Sequence, residues 1–220
     1  MKQKDIIALT MNFVKHTLKG AEGGHDWFHV HRVFLNAKHI GATESVDELV
    51  VALAALLHDI ADAKFHDGDE HIGPQKAEAF LKTLPLHNST IAHVKHIIEN
   101  ISFKNSLEAP NTDRFSSKEL EVVQDADRLD AIGAIGIARA FNYGGFKNRE
   151  LHNPDILPMK EMTKEQYKTS NAPTINHFYE KLLLLKDKMN TESGKRIAEG
   201  RHRYMQAFLE QFFGEWNGER

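Results

Sequence analysis

The sequence contains no cysteine among its 220 residues. That absence excludes disulfide bonds, thiolate metal ligands and cysteine nucleophiles, so only His, Asp or Glu side chains could hold a metal. Long apolar runs are also missing: the longest, residues 49–57, has nine residues, far below the roughly 20 that span a bilayer. Because the N-terminus is polar rather than signal-like, we expect a cytoplasmic protein with no membrane partner.

An excess of charge of one sign is absent as well. The chain has 28 basic and 31 acidic residues, a net charge of -3, which argues against a nucleic-acid partner or an anionic membrane surface. Hydrophobic residues make up 41% and charged residues 27%, which is typical of a globular protein. The length predicts one large domain.

Apolar periodicity predicts an all-α bundle of about eight helices, because no segment alternates with the period of a strand over strand length. Capping-box spacing precedes two of the helices, at residues 45–48 and 116–119. Asn88 is suited to cap another. The predicted helices cover residues 5–18, 26–41, 49–60, 75–84, 88–99, 116–141, 174–189 and 192–215.

The longest irregular stretch covers residues 146–173 and contains three prolines. A stretch of that length in a compact domain is typical of a binding loop or a lid. The aromatic stripe near the C-terminus is most simply interpreted as packing, and an exposed part of it would suit a homodimer interface.

The chain is rich in histidine, with 14 in all, and several stand beside acidic residues. Two helices that we expect to be buried carry carboxylates. In the first, Asp59 follows the apolar run together with the imidazole of His58. The second, predicted over residues 116–141, contains Asp125, Asp127 and Asp130. An unpaired buried charge costs several kcal/mol, so a bound cation is one way to compensate these carboxylates.

Two other interpretations of these residues stay open. The three aspartates of the second helix could pair with Arg128 and Arg139 in a structural ion network. His25 and His29 are four residues apart and could meet one ion, as the histidines of the zincin motif do. That motif's glutamate is missing here, so the spacing alone is weak evidence.

Three separated motifs resemble those of the HD-domain metal-dependent phosphohydrolase superfamily: H-x-x-R-V at residues 29–33, the adjacent His58 and Asp59, and A-D-R-L at residues 126–129. The longer sequences around them resemble the bacterial YpgQ/YedJ-like subgroup, some members of which are regarded as nucleoside triphosphate pyrophosphohydrolases. The resemblance implies a single HD domain over residues 1–220, with its motifs in a core of residues 24–145 and the C-terminal helices packed on that core.

The resemblance also implies a ligand set in the family's H…HD…D order: His29, His58, Asp59 and Asp127. Asp125 is the alternative for the fourth place. Imidazole and carboxylate ligands suit a divalent transition metal. We expect one such ion, with manganese as the first choice and Mg, Fe, Co, Ni or Zn as alternatives.

The predicted reaction is metal-assisted hydrolysis of a small-molecule nucleotide, a (d)NTP, to the (d)NMP and pyrophosphate. Asp62 follows His58 and Asp59 by one helical turn and is the candidate general base. Lys64 is placed to neutralise phosphoryl charge in the transition state. The other candidate substrate contacts are Arg32, Arg128, Asp130, His66, His71 and Lys147.

Other activities fit the same motifs. A nucleotidase, another phosphomonoesterase or phosphodiesterase, or an alarmone hydrolase would need the same metal site, because the pocket walls and not the scaffold select the substrate. A nucleotide-sensing module without catalysis is a further alternative. The sequence leaves open the base and sugar preference and the oligomeric state.

Overall fold

The computed structural model of the chain describes residues 1–21, 24–61, 71–101, 115–159 and 170–220. Within these ranges the chain forms nine α-helices and one 3-10 helix, and no β-strand. The predicted all-α fold is therefore confirmed. No helix in the described part of the chain is long and apolar enough to cross a membrane.

The chain divides into two compact units, residues 1–127 and 128–220. In chain order the helices are α1 (Gln3–Thr17), α2 (Trp27–Gly41), α3 (Glu48–Leu57), α4 (Ile72–Leu81), α5 (Asn88–Asn100), α6 (Lys118–Asp130), α7 (Gly133–Phe146), α8 (Asn176–Glu180), the 3-10 helix (Leu182–Lys188) and α9 (Glu192–Trp216). The description of residues 1–220 as one HD domain stays a prediction.

Helix α3 is the centre of the first unit. Its sequence is apolar on every face, and each residue from Val50 to Leu57 is buried, as expected of a helix without a polar side. Helices α1, α2 and α5 pack around it. The helix ends at Leu57, earlier than predicted, so that His58 and Asp59 lie in the turn that follows.

The first turns of α2 and α3 are both capped by aspartate. The Asp26 carboxylate accepts a hydrogen bond from the backbone N–H of His29 at 2.9 Å, and Asp47 accepts from the N–H groups of Leu49 and Val50. The predicted cap at residues 45–48 was therefore placed two residues too early. With Asp26 as its cap, α2 begins at Trp27, one residue after the predicted start. The cap therefore places His29 in the first turn of the helix.

The predictions for α4 and α5 were close but shifted. Pro74 lies in the first turn of α4, as expected, but the helix runs from Ile72 to Leu81 rather than from 75 to 84. Asn88 is the first residue of α5 rather than its cap, because His87 is the extended residue before the helix.

The predicted helix over residues 116–141 is wrong, because the chain breaks between α6 and α7. Ile132 is extended and Gly133 has a φ of 76°, a left-handed conformation that costs other residues free energy. A Cβ at Gly136 would overlap the backbone carbonyl of Ala131. Close packing at two glycines therefore allows a sharp turn that apolar periodicity did not reveal.

Helices α7 and α9 pack against each other in the second unit. The Arg201 guanidinium donates a hydrogen bond to the carbonyl of Leu129. Its aliphatic stem lies against Gly133, where an added Cβ would meet Arg201 Cβ at 3.0 Å. Arg201 of α9 therefore contacts the chain on both sides of the break between α6 and α7.

The remaining segments differ from prediction in one place. The expected helix over residues 174–189 consists of the short α8 followed by the 3-10 helix, whereas α9 extends to Trp216, close to its predicted end. Residues 147–159 and 170–173 of the expected irregular stretch are not helical. The rest of that stretch lies outside the described residues, and its role as a lid stays a prediction.

We predict that Gly133→Ala lowers the free energy of unfolding by about 1–2 kcal/mol, the usual cost of a left-handed conformation with a Cβ. Urea unfolding monitored by circular dichroism measures the change. Gly145→Ala is the matched control in the same helix, because a Cβ there has no atom within 4 Å. Equal stability of the two variants would show that the break does not depend on the glycine.

Candidate metal centre

Three side chains from α2 and from the turn after α3 converge in the first unit. His29, His58 and Asp59 each offer a ligand atom, and these atoms all lie within 4.8 Å of one another. The two histidines face each other with 3.3 Å between their Nε2 atoms, and His29 Nε2 is 4.0 Å from Asp59 Oδ2. Among the described residues, these three side chains form the group that could hold a metal ion.

A second carboxylate approaches the histidine pair from α6. Asp127 Oδ1 lies 3.5 Å from His29 Nε2 and 3.9 Å from His58 Nε2, and its side chain is 42% exposed. Asp125, the alternative from the sequence, is completely buried. The distances favour Asp127 as the fourth candidate ligand.

The orientation of His58 is set by a backbone group. His58 Nδ1 lies 2.9 Å from the carbonyl oxygen of Ala55, and because a carbonyl only accepts, Nδ1 carries the proton and donates it. In the neutral ring the lone pair is then on Nε2. That nitrogen is the one that faces His29.

Asp59 is held by His25, a residue that the sequence suggested only as a companion ligand of His29. His25 Nδ1 donates to Asp59 Oδ2 at 2.6 Å. Burial on its own raises the pKa of Asp59, but the hydrogen bond from His25 and the charges of nearby histidines outweigh it, and the pKa lies below 3.8. The carboxyl group is therefore ionised at neutral pH.

The separations of the four side chains fit a shared divalent cation. Two ligand atoms about 2.1 Å from one ion are roughly 3.0 Å apart at a right angle and roughly 3.4 Å apart at a tetrahedral angle. The distances of 3.3 and 3.5 Å agree with that range, and those of 3.9 and 4.0 Å are slightly longer. Two imidazoles with two carboxylates are also a donor set that transition metals accept.

The other predicted substrate contacts of the first unit are described only in part. Arg32 lies on α2, one turn beyond His29, and is half-buried, and His71 is exposed at the start of α4. Three of the predicted residues lie outside the described residues: Asp62, Lys64 and His66.

Three predicted contacts belong to the second unit. Asp130 is buried and forms an ion pair with Arg139 at 2.6 Å, which is the structural pairing that the sequence left open. Arg128 donates to the backbone carbonyl of Lys188 at 2.6 Å. The ammonium group of Lys147 lies over two aromatic rings of α7. Their roles toward a substrate stay predictions.

The similarity to known proteins agrees with this geometry. The family model of the HD domain matches residues 27–132, a range that contains all four candidate ligands. The chain is 37% identical to the uncharacterized protein YpgQ of Bacillus subtilis (strain 168), over 90% of this chain and 88% of that protein. The chain belongs to the HD domain family.

Solved structures of HD proteins extend the likeness to the whole fold. An HD-superfamily hydrolase from Bacillus thuringiensis is 42% identical with a TM-score of 0.78, over 98% of this chain and 99% of that one. B. subtilis YpgQ in complex with ADP is 34% identical with a TM-score of 0.76, over 98% and 97% of the two chains. With its His and Asp group in place, this HD protein is a metal-dependent phosphohydrolase.

The two aspartates of α6 give a direct test of the fourth ligand. We predict that Asp127→Asn weakens Mn²⁺ binding by at least about 10-fold, because a ligand loses its charge. Asp125→Asn, the matched variant on the same helix, should keep the wild-type affinity for Mn²⁺. Because Asp125 is buried, we expect this variant to fold less stably without any change in that affinity. Electron paramagnetic resonance of free Mn²⁺ measures both. The opposite order would assign the fourth place to Asp125.

Proposed function

We propose that this HD protein is a manganese-dependent pyrophosphohydrolase of nucleoside triphosphates, releasing the nucleoside monophosphate and pyrophosphate. The observation that carries the proposal is the convergence of His29, His58 and Asp59, with Asp127 beside the two histidines. A nucleotide as substrate is supported by the ADP complex of the related YpgQ. The triphosphate as substrate and pyrophosphate as product rest on the sequence resemblance to the YpgQ/YedJ-like proteins.

A divalent ion at this group would supply Lewis-acid stabilisation of phosphoryl charge and would make a water more acidic. The protein's part is to keep its donors ready for that ion. His58 does so through its hydrogen bond to Ala55, and Asp59 does so by remaining ionised beside His25.

In the proposed reaction, the oxygen of a water forms a bond to the α-phosphorus. The bond from that phosphorus to the bridging oxygen breaks, and pyrophosphate leaves with the bonding electrons. The proton of the water passes to Asp62, the proposed general base. Arg32 is a proposed partner for the phosphoryl oxygens, because it follows His29 by one turn of α2 and a guanidinium pairs well with phosphate. Lys64 is proposed for the same task.

We predict that Asp59→Ala reduces turnover by at least about 100-fold, because the variant loses both a ligand and the charge that attracts the ion. The measurement is nucleotide hydrolysis by metal-stripped protein after addition of Mn²⁺, Mg²⁺, Co²⁺, Ni²⁺ or Zn²⁺, with pyrophosphate and phosphate quantified separately. Asp187→Ala is the control, since that aspartate is 75% exposed in the second unit.

The products separate the proposal from its alternatives. Pyrophosphate from a triphosphate in the presence of Mn²⁺ would support it, and inorganic phosphate alone would contradict it in favour of a phosphomonoesterase. Binding of an intact nucleotide under saturating metal, without any product, would favour a sensing module.

A further inference from the structure

The three members of the metal group are held in different ways. His29 lies within α2, so its backbone position is fixed by the helix, and His58 is oriented by the carbonyl of Ala55. Asp59 lies beyond the last residue of α3, in a turn. In the part of the chain that the structure describes, no backbone N–H donates a hydrogen bond to its carboxylate, which accepts one from a side chain instead.

That orientation comes from a residue that is also outside a helix. His25 lies just before the Asp26 cap of α2, and its Nδ1–H donates to Asp59 Oδ2 at 2.6 Å. The two side chains are 35% and 16% exposed, so the hydrogen bond is partly shielded from water. It ties the segment that enters α2 to the segment that leaves α3.

From this geometry we infer that His25 is a positioning residue, which orients the Asp59 carboxylate for metal binding by donating a hydrogen bond to one of its oxygens. The inference rests on the proposed use of Asp59 as a metal ligand. A carboxylate turns about two side-chain bonds. A donor fixed on Oδ2, the oxygen that also lies 4.0 Å from His29 Nε2, sets the plane of the group and therefore the direction of the lone pairs that an ion would use. Hydrogen-bond partners of ligands commonly change metal affinity 10- to 100-fold.

This role requires an N–H donor at the position of His25 Nδ1, and a residue other than histidine could supply that donor. An asparagine amide places an N–H close to where the imidazole carries Nδ1–H, whereas a glutamine amide reaches one bond farther. If His25 were instead a ligand through a ring nitrogen, neither amide would replace it for an ion that prefers imidazole. The series His25→Asn, His25→Gln and His25→Leu therefore separates the two roles.

The test is titration of metal-stripped protein with Co²⁺, followed by visible absorption, which reports both affinity and ligand geometry. We expect His25→Leu to weaken binding by about 10- to 100-fold. His25→Asn should stay within about 3-fold of the wild type, with the same spectrum, and His25→Gln should fall between the two. His39→Leu is the control, because His39 is exposed near the end of α2.

Two results with the His25 variants would overturn the inference. Wild-type affinity in His25→Leu would show that Asp59 needs no donor, and loss of affinity in a folded His25→Asn equal to that in His25→Leu would make His25 a ligand. Should the leucine variant fail to fold, the comparison of Asn with Gln decides in the same way.

Metal binding is measured here without any nucleotide, so the outcome does not depend on the reaction. Absence of nucleotide turnover in the wild-type protein would contradict the proposed function alone. Wild-type Co²⁺ affinity in Asp59→Ala would instead remove Asp59 from the ligand set and the inference with it.

Discussion

A carboxylate next to an imidazole, at the end of a fully apolar helix, is the constraint on which the rest of this site depends. Helix α3 is buried from Val50 to Leu57, and the next two residues are an imidazole and a carboxylate. An ionised carboxylate in such a place must gain nearly as much from its neighbours as it loses in hydration. The neighbours are imidazoles: His25, from the segment just before α2, donates a hydrogen bond to Asp59, and His29 on α2 lies 4.0 Å away.

The same constraint explains why a cation suits the site. Two carboxylates lie close to two imidazoles whose Nε2 atoms face each other. His58 Nδ1–H donates a hydrogen bond to a backbone carbonyl, so the Nε2 atom of the neutral ring offers a lone pair. A divalent ion satisfies lone pairs and negative charge together. The buried helix α3 holds the turn that carries His58 and Asp59. The Asp26 cap fixes where α2 begins and therefore where His29 lies.

The part of this site that sequence could predict is the part encoded by motif order. His29, His58, Asp59 and Asp127 follow the H…HD…D order, and three of them form the close group while the fourth lies beside it. The hydrogen bond between His25 and Asp59 could not be predicted, because it joins residues that are 34 positions apart in the sequence. The break at Gly133 was missed because the apolar pattern continues across it, whereas the turn depends on a positive φ and close packing of Arg201.

The most direct test of this account is anomalous X-ray scattering from crystals of the protein grown or soaked with Mn²⁺. The account predicts one strong peak at a distance of about 2.0–2.3 Å from His29 Nε2, His58 Nε2 and a carboxylate oxygen of Asp59, with Asp127 as a further neighbour. A peak at other residues, or none beside this group in protein that binds Mn²⁺ in solution, would contradict it.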